Sequence, residues 1–90
     1  MAVKKSYEEW LLDVKNDHNA ILSVPKKYWT KEICYEAVNT DYSALNYLTK
    51  KYLSKEICIL AFKKSPTSIR YVRKNLRGIF KKYISEEIDD

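Results

Sequence analysis

A 24-residue repeat is the feature that most restricts the fold of this chain. The string KYWTKEIC at 27–34 returns as KYLSKEIC at 51–58, and apolar positions outside these strings also stay in step, as with Val24, Leu48 and Val72. A fixed period of about 20 to 50 residues is the signature of a stacked repeat protein. We therefore predict a degenerate opening unit, two clear units and a fading last unit, at 6–24, 25–48, 49–72 and 73–88.

Each clear unit is predicted to contain two short helices. Thr30 and Ser54 lie where an N-cap is needed, because a side-chain hydroxyl there accepts a hydrogen bond from the first helical turn. The apolar residues that follow are spaced to fill one face of an α-helix. They are Ile33, Cys34, Ala37 and Val38 in one unit and Ile57, Cys58, Ala61 and Phe62 in the next. The second helix is predicted to start at Asp17, Asp41 or Ser65.

Helices this short have to be stabilised by their neighbours. An isolated helix of fewer than about 12 residues is marginal in water, so each apolar face must be covered by the next unit. We predict an all-α protein that forms one domain over 1–90. Its architecture is expected to be a compact α-solenoid-like array of about six to seven helices.

The sequence offers no catalytic or metal-binding motif. Cys34 and Cys58 occupy equivalent positions, so we interpret both as buried core residues that form no disulfide. Together with the lone His18, they fall short of the four ligands of a structural zinc site. His18 itself is expected at the surface, next to a helix cap. We therefore expect no enzyme activity, no metal, no cofactor and no small-molecule substrate.

Nothing in the sequence predicts a membrane protein. The longest apolar run, ICILAF at 57–62, is far too short to span a bilayer. The first ten residues, MAVKKSYEEW, lack the apolar core of a signal peptide. With unpaired cysteines, this predicts a soluble protein of a reducing compartment, the cytoplasm.

A long segment in the second half of the chain is strongly basic. The stretch 57–85 contains eight basic residues and no acidic residue. If 68–84 is one helix, its apolar stripe is flanked on one edge by Arg70, Arg73, Lys74, Arg77 and Lys81, which we predict to bind a partner. Gly78 falls at the position of an N-cap, so the helix from 66 either breaks near 75–78 or runs through.

A second basic feature arises from the repeat itself. Lys26, Lys50 and Lys74 are equivalent, so stacking of the units would place them in a row beside Tyr28 and Tyr52. Such a row suits a nucleic-acid backbone or an acidic protein surface. It also suits a helix C-terminus and solubility alone, with no partner.

Trp29 directly precedes an N-cap and has no equivalent in the other units. Two interpretations are open. In the first, Trp29 is a staple that packs on the following helix. In the second, it is an exposed anchor for a partner, and we include it with Lys26 and Lys50 among the candidate binding residues.

The two ends of the chain differ from the repeat. Trp10 replaces the cysteine of the later units and Asp13 replaces their alanine, which suggests a polar end cap. The tail EEIDD at 86–90 is acidic and either folds back on the basic helix or stays mobile.

The pattern V-P-x-x-Y-x-T-K-E-I-C-x-x-A-V followed by A-L-x-Y-L resembles a family of short helical repeats from bacterial and large-virus proteins. The family is known only as a domain of unknown function. The resemblance covers about 20–72, and Lys26, Lys27, Lys50 and Lys51 stand where related units often carry Glu. It implies the architecture and no binding residues.

These observations favour a binding protein over an enzyme. The leading hypothesis is a small protein–protein interaction module or inhibitor, a monomer or weak homo-oligomer, whose basic surface contacts an acidic protein. The first alternative is a nucleic-acid binder that uses the same residues on phosphates. The second is an assembly unit that self-associates through an open end of the stack.

Overall fold

The computed structural model describes residues 5–88, without the side chains of His18, Glu87 and Ile88. Within this range the chain forms four α-helices, and it contains no β-strand. The helices are α1 (Tyr7–Asn16), α2 (Lys31–Thr40), α3 (Lys55–Lys64) and α4 (Arg77–Ile88). The predicted all-α class is confirmed.

Short 3-10 helices connect the α-helices. Three of them have five or six residues, and they are His18–Leu22, Tyr42–Tyr47 and Pro66–Tyr71. The other two, Lys26–Tyr28 and Lys74–Leu76, have three residues each. The second helix of each predicted unit therefore starts where we expected, but it winds as a 3-10 helix. Because only about six residues separate its cap from the next extended residue, it is limited to the short runs typical of this geometry.

The α-helices begin at equivalent caps. The hydroxyls of Ser6, Thr30 and Ser54 accept hydrogen bonds from the backbone N–H three residues ahead, at 3.2, 3.1 and 3.2 Å. Ser6 and Glu9 also form the reciprocal capping box. Each cap satisfies a backbone donor that the first turn leaves without a partner, which fixes the start of the helix.

One residue ends each α-helix and begins the 3-10 helix after it. Asp17, Asp41 and Ser65 have extended backbones, with φ of −145°, −155° and −159°. Their N–H groups donate to the fourth residue back, at 2.9 Å in each case. The Asp17 and Asp41 carboxylates then accept from the backbone N–H two residues ahead, at 3.0 and 2.8 Å. The chain therefore turns in the same way at every 24th residue.

The core lies between consecutive helices. Each α-helix packs against the next one along the chain. The apolar faces predicted for α2 and α3 are buried, except that Phe62 is half-buried. The chain measures 52 × 22 × 19 Å along its principal axes, so its longest dimension is more than twice either of the others.

The predicted helix over 68–84 is wrong. The 3-10 helix from Pro66 ends at Tyr71, Val72 and Arg73 are extended, and the chain becomes helical again at Lys74. Val72 is buried with nearly the same backbone angles as its equivalent Leu48, so the repeat pattern determines the break. The break comes before the predicted 75–78, and Gly78 lies inside α4 and not at a cap.

Polar groups lie on and beside the first helix. Lys5 Nζ binds the Asp13 carboxylate and lies 4.7 Å from the centre of the Trp10 ring. Trp10 is half-buried against the core.

Two further predictions concern His18 and the membrane. His18 was predicted to lie at the surface, but its side chain is outside the described part of the chain. None of the helices in the described part of the chain has the length and apolar character needed to cross a bilayer.

Both cysteines are free and fully buried. Burial raises the pKa of the Cys34 and Cys58 thiols to about 12, and the nearby charge of Lys26 offsets part of this effect at Cys34. In the unfolded chain a thiol has a pKa of about 8.5, so between these values only the unfolded chain loses its thiol protons.

Two outcomes follow for the cysteines. Stability should fall as pH rises above about 8.5, and it should fall less in the Cys34→Ala/Cys58→Ala variant, as measured by urea unfolding at pH 7 and pH 10. A thiol reagent at pH 8 should label the native protein slowly and the urea-unfolded protein at once. Fast labelling of the native protein would contradict the burial described here.

Ser68 provides a second test of the core. Its side chain is 0 % exposed, and its hydroxyl has no hydrogen-bond partner among the described atoms of residues 5–88. It is equivalent to Ala44, which is also buried. An unsatisfied buried hydroxyl costs about 1–3 kcal/mol, so Ser68→Ala should raise the free energy of unfolding by about 1 kcal/mol. Ala44→Ser, the matched control, should lower it, and thermal unfolding of both variants measures the change.

Candidate functional site

The predicted binding cations are mostly available at the surface. Six of them are exposed and Arg77 is half-buried, the six being Lys26, Lys50, Arg70, Arg73, Lys74 and Lys81. None of these seven side chains pairs with a carboxylate in the described part of the chain. The surface therefore carries positive charge that acidic residues of residues 5–88 do not neutralise.

Of the acidic tail, the described carboxylate is that of Glu86, and it contacts α3 instead of the predicted basic residues. Glu86 Oε2 lies 3.8 Å from Lys55 Nζ of α3, and both side chains are largely exposed. The side chain of Glu87 and the residues Asp89 and Asp90 lie outside the described part of the chain. The one tail carboxylate that is described thus leaves the predicted basic residues unpaired.

Lysines lie over aromatic rings on the repeat surface. Lys26 Nζ is 3.9 Å from the centre of the Trp29 ring. Lys27 Nζ lies 5.3 Å from the centre of Tyr28, and Lys51 Nζ lies 5.4 Å from that of Tyr52. Cation–π contacts at such distances hold the ammonium groups close to the rings. A nucleic-acid base would have to displace a lysine to stack on these faces.

Trp29 is part of the core. Its side chain is 7 % exposed, its indole Nε1 donates to the Val24 carbonyl at 2.9 Å, and its ring meets Tyr52 edge-on at 5.5 Å. The interpretation of Trp29 as an exposed anchor is therefore wrong, because its ring is buried and its N–H is already bonded. Trp29 contributes to the surface indirectly, because the ammonium group of Lys26 lies over the face of its ring.

Arg77 makes the same backbone contact as Trp29, two periods later. Its Nε donates to the Val72 carbonyl at 3.1 Å, and its Nη2 donates to the Arg70 carbonyl at 3.3 Å. Val72 is equivalent to Val24, so a side-chain nitrogen caps the same carbonyl in both places. Part of the Arg77 guanidinium thus stabilises the fold. The sequence signal for this role is that Trp29 and Arg77, at aligned positions, both carry an N–H donor.

The structure brings Lys26, Trp29 and Arg73 together. They line one open cleft of about 430 Å³, which we call the Lys26–Arg73 cleft. Arg73 reaches it from the start of the last predicted unit, where its Nε donates to the Asn46 carbonyl at 3.4 Å. Leu22 and Tyr47 also line the cleft. Neither was predicted from the sequence as a site residue, although Leu22 is apolar where its equivalents are Asn46 and Arg70.

The other predicted residues are not in this cleft. Lys81 lines a separate apolar groove of about 250 Å³ with Phe62, Ile69 and Phe80. Lys50, Arg70 and Lys74 line neither the cleft nor this groove. Of the predicted basic stripe, only Arg73 therefore lines the cleft and only Lys81 lines the groove.

Comparison with known proteins assigns the chain to a protein family. A family model described as a domain of unknown function (DUF4116) matches residues 30–77, just over half of the chain. The protein is therefore an all-α protein that belongs to the DUF4116 family. The match overlaps the region that carried the resemblance in the sequence, and its description names no activity. No curated protein and no solved structure matched significantly.

The equivalent bonds of Trp29 and Arg77 give a prediction. Trp29→Phe keeps an aromatic ring but removes the five-membered ring that carries the donor to the Val24 carbonyl, and Arg77→Leu removes the donors to two carbonyls. Each loss should lower the free energy of unfolding by about 1–2 kcal/mol, as measured by urea denaturation. Leu53→Met, at the equivalent position between them, is the control and should change stability less. Unchanged stability in both variants would show that these bonds are not structural.

Proposed function

We propose that this protein is a non-enzymatic binding module that binds or inhibits a partner protein with an acidic surface. The observation that supports this most is the Lys26–Arg73 cleft, which combines an exposed apolar side chain with two cations that no carboxylate of the described residues pairs. In the proposal the 24-residue units form an α-solenoid-like array. An array of this kind offers a continuous face that is already ordered, so little conformational entropy is lost on binding.

An acidic protein surface suits the chemistry of the cations. Arginine binds carboxylates through two parallel N–H bonds, and Arg70 and Arg73 are both exposed. Positive charge without internal partners also accelerates encounter with an acidic partner and penalises a basic one. The two buried thiols without a disulfide support a reducing compartment, and we place the protein in the cytoplasm of a bacterium or of a virus-infected cell.

Binding of nucleic acid is the first alternative. It is favoured by the eight basic residues of 57–85, which no acidic residue interrupts. The aromatic residues beside the lysine row support it less, because Lys27 and Lys51 lie over Tyr28 and Tyr52. Self-association is the second alternative, and its supporting observation is Leu12 on α1, which is 59 % exposed.

A charge-reversal experiment tests the proposal. The Arg70→Glu/Arg73→Glu/Lys74→Glu variant leaves Arg77 intact, so the backbone bonds of Arg77 are retained. The matched control, Lys31→Glu/Lys63→Glu/Lys82→Glu, changes the net charge equally at other exposed positions. The probes are a fluorescent library of acidic 12-residue peptides and a 20-base-pair DNA duplex.

We expect the acidic peptides to bind the unchanged protein at physiological salt. Binding should weaken by about tenfold or more in the first variant and clearly less in the control. DNA that binds more tightly than every peptide, with a steep log-linear dependence on salt, would favour the nucleic-acid alternative and contradict the proposal. Sizing chromatography of the unchanged protein at two concentrations tests self-association.

A further inference from the structure

We propose that the Lys26–Arg73 cleft binds a peptide segment in which an acidic side chain is next to a large apolar side chain. This rests on the proposed function and names its ligand class. The cleft has polar and apolar recognition elements side by side, whereas a uniformly basic surface would select for charge alone.

The cationic side of the cleft is prepared for a carboxylate. Lys26 Nζ is held 3.9 Å from the Trp29 ring, and the ring is fixed in turn by its bond to the Val24 carbonyl. Arg73 uses Nε on the Asn46 carbonyl, and in the described part of the chain its two Nη groups have no hydrogen bond. Its backbone contact positions the guanidinium while leaving the outer nitrogens for a ligand. A carboxylate in this cleft would thus meet two cations, of which one can bind it through two parallel bonds.

The apolar side of the cleft is built from Leu22 and Tyr47. Leu22 is 58 % exposed, and Tyr47 is half-buried against the core. A single exposed leucine is ordinary on a protein surface. Leu22 differs because it lies in the wall of a cleft beside two cations, at a position where the other units carry Asn46 and Arg70. An apolar ligand side chain would cover it from water, and this contact distinguishes the ligand from a simple polyanion.

Charge complementarity decides the class of partner. A nucleic-acid backbone would satisfy the two cations, but it presents no aliphatic side chain to Leu22. An acidic peptide with a leucine or isoleucine satisfies both sides of the cleft. The volume of about 430 Å³ is within the range of about 300–1,000 Å³ seen for ligand sites, so side chains of this size fit.

The experiment uses three fluorescent peptides. Each is a 12-residue Gly/Ser peptide, and the first contains the central sequence Leu-Asp-Leu-Glu. In the second peptide both leucines are replaced by serine, and in the third both acids are replaced by their amides. A DNA duplex of 20 base pairs is the polyanion control. Binding is measured by fluorescence polarisation to the full chain and to its variants.

The variants separate the two sides of the cleft. Leu22→Asn introduces the side chain found at the equivalent position 46, and Leu12→Asn is its control, an equally exposed leucine outside the cleft. Lys26→Gln and Arg73→Gln each remove one charge from the cleft, and Lys74→Gln removes one charge outside it. Thermal unfolding of each variant identifies any loss of fold, and Leu22→Met serves as a conservative rescue.

We expect the first peptide to bind most tightly. Leu22→Asn should weaken it by about tenfold and leave the serine peptide unchanged, while Leu12→Asn and Leu22→Met should have little effect. Lys26→Gln and Arg73→Gln should weaken both acidic peptides more than Lys74→Gln does.

Two other results would overturn the inference, and they differ in what they mean for the function. If the acidic peptides bind but the cleft variants behave like their controls, the cleft assignment fails and the proposed function stands. If none of the peptides binds and only the DNA duplex does, both fail.

Discussion

The burial of apolar faces between successive short helices is the interaction on which this structure depends. The first three α-helices have ten residues each, which is too short for stability in water on their own. Each therefore needs the next helix to cover residues such as Ile33, Cys34 and Ala37. Stability is thus a property of neighbouring pairs, and the surface residues inherit their positions from this packing. Whether two surface residues lie close together therefore depends less on the number of residues between them than on the number of 24-residue periods.

Much of the fold could be predicted from the sequence, because caps and apolar spacing are local signals. Thr30 and Ser54 cap α2 and α3 as expected, and the apolar faces behind them are buried. The 3-10 winding could not be predicted, because six residues contain too little periodicity to separate it from an α-helix. The helix predicted over 68–84 failed for a similar reason. Its apolar spacing fits a helix, yet Val72 is buried as an extended residue and interrupts it.

The candidate site was predicted only in parts. Lys26 belonged to the lysine row and Arg73 to the basic helix, and no sequence pattern joined them. They meet because the extended residues at 72–73 direct Arg73 back to the Asn46 carbonyl. Leu22 could be recognised as a candidate binding residue only from its position beside Lys26 and Arg73. Arg77 was assigned to a partner because it belongs to the predicted basic stripe, and Trp29 was included because it has no equivalent in the other units, whereas both hold backbone carbonyls in place. Side-chain bonds to the chain's own backbone are difficult to recognise before the turns are known.

The shared turn residues have a consequence for how such a chain can change in length. Asp17, Asp41 and Ser65 each close one helix and open the next, so insertion of one residue beside them would break two hydrogen-bonded ends at once. Growth by single residues is therefore disfavoured there. Duplication of a whole 24-residue segment, joined between Leu48 and Thr49, retains every cap and turn. A change in length by a complete 24-residue segment therefore disturbs fewer hydrogen-bonded helix ends than a change by a single residue.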